Sequence, residues 1–127
     1  MKVTPKMVAS VLALPGLERY GHFIKVVADW QQVWGLYHDG WALASSEDGT
    51  VVFPMWPARE YAEACANNNW SGYEPRAFDL DELLNDLLPK LERDRMMPGI
   101  FFTPQRKGVT PSVSQFRHDL DVELEKY

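Results

Sequence analysis

Cysteine is nearly absent from this chain: Cys65 is the single one in 127 residues. One thiol makes neither an internal disulfide nor a cysteine cage for a metal, so nothing requires an oxidising compartment and the cytoplasm is the expected location. Histidine is scarce as well. The three, His22, His38 and His118, form no pair at i, i+4 and no His-Glu-x-x-His segment, so a zinc site would have to gather isolated ligands. Cationic residues are outnumbered, 13 Lys and Arg against 18 Asp and Glu, for a net charge of -5. That balance argues against nucleic acid, whose phosphates call for clustered cations to displace counterions. No apolar run approaches the ~20 residues of a membrane span. Glycine-rich phosphate loops and a G-x-S-x-G elbow are missing too. No cofactor and no metal are implied.

What is present is an ordinary globular composition, 46% hydrophobic and 13% aromatic. A chain of this length folds as one domain and buries roughly two-thirds of the surface exposed by its unfolded form. Two lysines ahead of a short apolar run give the N-terminus a faint look of a secretion signal. Its residues read better as a helix: Thr4 caps it, Pro5 takes the first position, and Pro15-Gly16 ends it. Leu17, Tyr20, Phe23, Ile24 and Val27 recur at helical spacing in a second helix, with Glu18, His22, Lys25 and Asp29 on the opposite side.

The period then changes. Two Asp-Gly pairs, Asp39-Gly40 and Asp48-Gly49, lie between runs rich in aromatic and β-branched residues, which predicts an antiparallel three-stranded meander over about 33–38, 41–46 and 50–56. Two-residue turns would set His38 opposite Trp41 and Trp41 opposite Trp56. Trp34, Leu36, His38, Trp41, Leu43, Val52 and Trp56 would share one face, with Tyr37, Phe53 and Met55 on the other. Both faces are apolar, so the sheet needs cover on each side. Pro54 removes a ladder donor and marks the third strand as an edge there.

Pro57 suits the first position of a third helix, whose stripe is Ala58, Tyr61, Ala62 and Cys65, and the run Asn67-Asn68-Asn69 ends it. A short strand is expected near 76–78. Asp79 and Glu82 open a leucine-rich helix that Pro89 should kink or restart near Leu88. A strand at 99–103 pairs back with 107–110 across the segment containing Arg106, and Ser112 with Gln115 starts the last helix. The expectation is a single α+β domain over residues 1–127 with about five helices.

The segments "VADWQQVWGLYHDGWALA", "FPMWPAREYAEACANNNW", "YEPRAFDLDELLNDLLPKLERD" and "RKGVTPSVSQFRHDL" resemble successive blocks of the bacterial family called domain of unknown function 2750. The tryptophan-glycine-leucine-tyrosine run, the aspartate-glycine-tryptophan turn and the pair Trp56-Pro57 carry it most specifically. The resemblance runs from about Arg19 onward and implies a small bacterial single-domain protein. It brings no catalytic residues with it.

The residues offer little chemistry of their own. His22 and His118 fall on polar helix faces, Cys65 on a buried stripe where a thiol is kept from ionising, and Glu82 with Asp86 on a solvated helix face. Arg93, Arg95, Arg106 and Lys107 make at most a small basic patch. One constellation remains: the expected register gathers His38, Trp41 and Trp56 at one end of the sheet. There the helix after Pro57 starts without a capping side chain and with Arg59 in its first turn. Such a pocket would take a small anionic or aromatic ligand, with His38 as the available base. The leading expectation is a non-catalytic, acidic binding domain for a protein partner, regulatory or immunity-like, or a homo-oligomer, because two apolar faces meet no catalytic set. The pocket is the alternative, and it requires its four side chains to border one cavity.

Overall fold

The computed structural model describes residues 3–67 and 70–127. Each helix begins where its local chemistry allows. Thr4 accepts the Met7 N–H at 3.2 Å ahead of α1 (Pro5–Leu12), and α2 (Gly16–Trp30) follows after Pro15. Asp79 accepts the Glu82 N–H at 2.8 Å, and Ser112 the Gln115 N–H at 3.1 Å ahead of α6 (Val113–Leu124). Each such cap stabilises its helix by ~1 kcal/mol because it satisfies an amide that has no partner inside the helix. The short helix α3 (Arg59–Ala66) starts two residues after Pro57, with Ala58 at the cap position and no side chain capping it. Asn67 closes it, and the rest of the asparagine run lies outside the described residues.

Pro89 shapes the middle of the leucine-rich helix. The rod begins as α4 (Leu80–Glu82), widens into a π-helical turn at Leu83–Leu87 and restarts as α5 (Leu88–Arg93) with the proline in its first turn. The Leu88 N–H reaches back to the Leu83 carbonyl, one residue further than in an α-helix. The next carbonyl, Leu84, would by the same step accept from residue 89, which has no N–H. The Arg117 guanidinium of α6 donates to it instead. The π turn and α6 are therefore held together by the bond the proline took away. With α4, the π turn and α5 counted as one rod, the described residues hold five helices.

The strands depart from the expected meander. β1 (Gln32–Tyr37) pairs along its whole length with the distant β4 (Glu74–Asp79), antiparallel, from Gln32 opposite Asp79 to Tyr37 opposite Glu74. A second sheet has the order β2-β3-β5: β2 (Ala44–Ser45) and β3 (Val51–Met55) are antiparallel, while β3 and β5 (Met97–Ile100) are parallel. A reciprocal pair of backbone bonds between Trp34 and Trp56, 2.9 and 2.8 Å, joins the two sheets. Both hairpin turns are longer than two residues. Asp39 takes φ 56°, the His38 N–H bonds to Gly40, and the bridge falls between Tyr37 and Trp41, not His38 and Trp41. In the second turn the Asp48 carboxylate receives the Ser46 hydroxyl and the Thr50 N–H, which sets Ser45 opposite Val51 instead of Val52. A one-residue slip sends a side chain to the other face, and that is what happens to Trp41.

Pro54 turns out to lie in a central strand, opposite Gly99 of β5. Phe101 donates its N–H to the Met55 carbonyl, so Met55 is directed to β5 and its neighbour Pro54 to the other edge. Along that edge β2 ends opposite Val52 and the β1 backbone bridges to Trp56, so the proline occupies the gap where no donor is missed. The expected return of 107–110 onto the last strand is a single bridge, Ile100 with Val109.

The core runs through α2, α3, β3, β5 and α6, with Phe23, Val27, Met55, Trp56, Ala62, Leu83, Phe101, Phe116 and Leu120 fully enclosed. Two polar residues, Arg19 and Thr103, are buried with them. The Arg19 side chain is 1% exposed and donates to the carbonyls of Leu14 at 2.6 Å, Phe101 at 3.2 Å and Lys107 at 3.4 Å. Phe101 itself has φ 68°, an unfavourable setting for a bulky residue that persists only when its surroundings over-determine it. Arg19 on one side and the Phe101 N–H bond to Met55 on the other supply that constraint.

Candidate functional site

The slip at Asp39-Gly40 carries Trp41 onto the face of Phe53 and Phe78. Their ring centroids stand 5.7 and 5.4 Å from the indole, and Tyr37 meets its other side at 5.3 Å. Gly35 makes this possible: a Cβ there would come within 2.8 Å of the Trp41 ring, so only a bare Cα lets the indole lie across β1. Phe53 and Phe78 are buried beneath it, and Trp41 remains half-buried.

Beside these rings the leucine-rich rod leaves a cavity of about 180 Å³, lined by Trp41, Phe53, Phe78 and Leu87 and edged by Glu82, Asp86 and Lys90. Its floor is aromatic and its rim carries two acids and one amine. The amine is engaged elsewhere, since Lys90 Nζ lies 3.0 Å from the Asp94 carboxylate. Glu82 and Asp86 have no side-chain hydrogen bond or ion pair among the described residues. Asp86 sits within the π turn, so the local widening that Pro89 imposes is also part of the cavity wall. Aromatic faces carry negative charge density, and with two free carboxylates they make a place for a cation.

The other expected site residues keep different company. Trp56 is fully buried, its indole N–H donates to the Phe102 carbonyl at 2.9 Å, and its ring meets Trp70 at 6.0 Å. Three positions from Phe53 along the alternation of β3, it belongs to the face opposite Trp41. His38 is exposed and stacks edge-on against Tyr73 at 5.7 Å. Arg59 begins α3, pairs with Glu63 at 3.5 Å in the open, and borders a separate cavity with Trp34 and Glu60. Among the described residues these four share no ring contact, hydrogen bond or ion pair with one another.

Glu82 and Asp86 are exposed, as expected of a solvated helix face, while His22 departs from that setting. Glu82 and Asp86 face an aromatic cavity, a fact no spacing along the helix reveals because the rings come from β3, β4 and the loop before β2. His22 is half-buried against Tyr61 and Phe101, both at 6.2 Å, and burial, with Lys25 nearby, pushes its pKa down. Cys65 lies where expected. It is buried, its thiol donates to the Phe102 carbonyl at 3.3 Å, and burial pushes its pKa up to about 12, so it stays a thiol. No cluster of three or more His, Cys, Asp or Glu positioned for a metal occurs among the described residues. No helix among them is long and apolar enough to cross a membrane.

Fold and site together define a small α+β domain with an aromatic, acid-rimmed cavity on one face. The model of the family described as a protein of unknown function (DUF2750) matches residues 20–120, and the chain belongs to that family. No curated protein matches it.

Proposed function

We propose that the protein is a non-catalytic binding domain that takes a basic side chain of a partner protein into the Trp41 cavity. The observation that carries this reading is the pairing of three aromatic rings with two unengaged carboxylates, Glu82 and Asp86, around one opening. Magnitudes decide what kind of cation fits. A cation over an aromatic face gains about 0.5–2 kcal/mol, and each exposed carboxylate near 4 Å adds about 1 kcal/mol. The sum is that of a roughly millimolar site, too weak for a free ammonium ion to be the physiological ligand. A lysine or arginine anchored within a larger interface adds the missing area. A net charge of -5 favours such a basic partner and opposes a second copy of the same chain or nucleic acid. Of the four residues expected from the sequence to bind a ligand, this reading keeps Trp41. The cytoplasm remains the expected compartment, since a lone buried thiol requires no oxidising environment.

The test is a titration of the isotope-labelled protein with N-acetyl-lysine methylamide, its trimethylated form and the uncharged norleucine analogue. The two cations are expected to move the Trp41 indole signal at millimolar concentration, more weakly in the Glu82→Gln/Asp86→Asn double variant. Equal shifts from norleucine, or none from the cations, would sink the reading.

A further inference from the structure

The loop after β5 gathers cations on an acidic molecule. Arg106 and Lys107 are exposed there, and neither side chain makes a hydrogen bond or ion pair among the described residues. A third cation lies close by. The buried Arg19 guanidinium has no carboxylate partner among the described residues, donates to the Lys107 carbonyl, and has its pKa pushed down by burial and by Arg106. Like charges held this near one another raise the free energy of the fold, and a bound anion would relieve them.

Arg106 and Lys107 edge a cavity of about 320 Å³ whose other walls include Ala44, Phe102 and the half-buried Trp70, and no carboxylate lines it among the described residues. Its framework is fixed before any ligand arrives. Thr103 and Arg106 exchange backbone bonds at 2.9 and 3.3 Å, the Thr103 hydroxyl accepts the Arg106 N–H at 3.0 Å, and Arg19 holds the Lys107 carbonyl at 3.4 Å. The Trp70 ring is packed edge-on against Trp56 at 6.0 Å and Phe102 at 5.9 Å. Groups held in place in this way lose little freedom on binding.

We propose that this cavity binds a small aromatic anion, with its flat ring against Trp70 and its carboxylate or phosphate between Arg106 and Lys107. Size and sign set the class. The volume is that of a small-molecule site. Two unengaged cations select a negative head group, and the fork of Arg106 suits the paired oxygens of a carboxylate or phosphate. A long polyanion is disfavoured, because the chain carries a net charge of -5 and Glu47 and Asp48 border the adjoining space that Lys107 also lines. A small anion feels mainly the charges within a Debye length of ~8 Å. The site shares no lining residue with the Trp41 cavity and takes the opposite charge, so neither proposal depends on the other.

The test titrates benzoate and phenyl phosphate into the isotope-labelled full chain, with benzamide as the uncharged comparison and acetate as the anion without a ring. At least one aromatic anion is expected to shift the Trp70 indole signal and the Arg106 and Lys107 amides saturably at millimolar concentration, and the tighter of the two identifies the head group. Benzamide and acetate should each bind several-fold more weakly. The Arg106→Gln/Lys107→Gln double variant should weaken the aromatic anion about tenfold, the effect of two exposed charges, while melting no lower than the wild type. The proposal is overturned if neither aromatic anion gives a saturable shift there, if benzamide or acetate binds as tightly, or if the double variant binds the anion equally. A lower melting temperature of the double variant overturns it as well, because the two cations would then already have partners within the fold.

Discussion

Trp41 and Trp56 come from one short stretch of chain and meet opposite fates. Trp56 is sealed in the core with its indole N–H bonded to Phe102 and its ring against Trp70. Trp41 has similar aromatic company, Tyr37, Phe53 and Phe78, but keeps part of its ring at an opening edged by acids. Aromatic character alone therefore does not separate a sealed core from the wall of an open cavity. What separates them is whether the polar groups nearby are already matched. Around Trp56 the carbonyls and N–H groups bond one another, and around Trp41 two carboxylates have no partner among the described residues.

The contrast predicts a graded set of effects. Trp56→Ala should cost about 4 kcal/mol of unfolding free energy by denaturant titration, from the cavity it leaves and the indole hydrogen bond to Phe102 that it removes. A loss below about 1 kcal/mol would put the two tryptophans on the same footing. Arg19→Met keeps the bulk but leaves the Leu14 and Phe101 carbonyls without their buried donor, for an expected loss of about 3 kcal/mol. The third effect concerns the wall of the open cavity. Arg117→Ala should cost about 2 kcal/mol because the Leu84 carbonyl in the π turn loses its donor. In a Pro89→Ala background the loss should be smaller, since residue 89 then has an N–H to offer, and a double-mutant cycle reads the difference.

Trp41→Ala should be milder than Trp56→Ala, about 2 kcal/mol for a ring that is only partly exposed, while abolishing the response to lysine analogues. The smallest effect is expected in the turn that fixes the register between the two tryptophans. Hydrogen bonds from the Ser46 hydroxyl and the Thr50 N–H hold the Asp48 carboxyl down at about 2, below its ordinary 3.8. A depressed acid adds stability that is full above its unfolded value and is lost as pH falls through its folded one. A slight fall in melting temperature between pH 4 and 2 is therefore expected, and it should be absent in Asp48→Asn. A carboxyl that titrates near 3.8 by NMR would contradict the turn geometry.

Much of the fold is written locally. Thr4, Asp79 and Ser112 announce three helix starts that the structure keeps, because a cap needs only a side-chain oxygen and an amide three residues on. Pro89 announces a restart at Leu88 for an equally local reason, a missing N–H. The meander failed at the same scale. Two Asp-Gly pairs each favour a two-residue turn, yet β1 gained a six-residue ladder with β4, and both turns took a longer form that suited Trp41 over Gly35 and Asp48 inside its loop. A slip of one residue then moved Trp41 away from the expected neighbours His38, Trp56 and Arg59. Arg19 escaped notice because a cation in the core is intelligible only from the three carbonyls that surround it, two of which come from the far end of the chain.

By itself, then, the sequence determined the helices, most of their starts and an acidic α+β domain, which follow from composition and from neighbours a few residues apart, while its segments carried the resemblance to the family. Strand partners, the face Trp41 occupies, and the meeting of Glu82 and Asp86 with three aromatic rings were decided by tertiary structure. Those depend on contacts between segments tens of residues apart, where one residue of register reverses the answer.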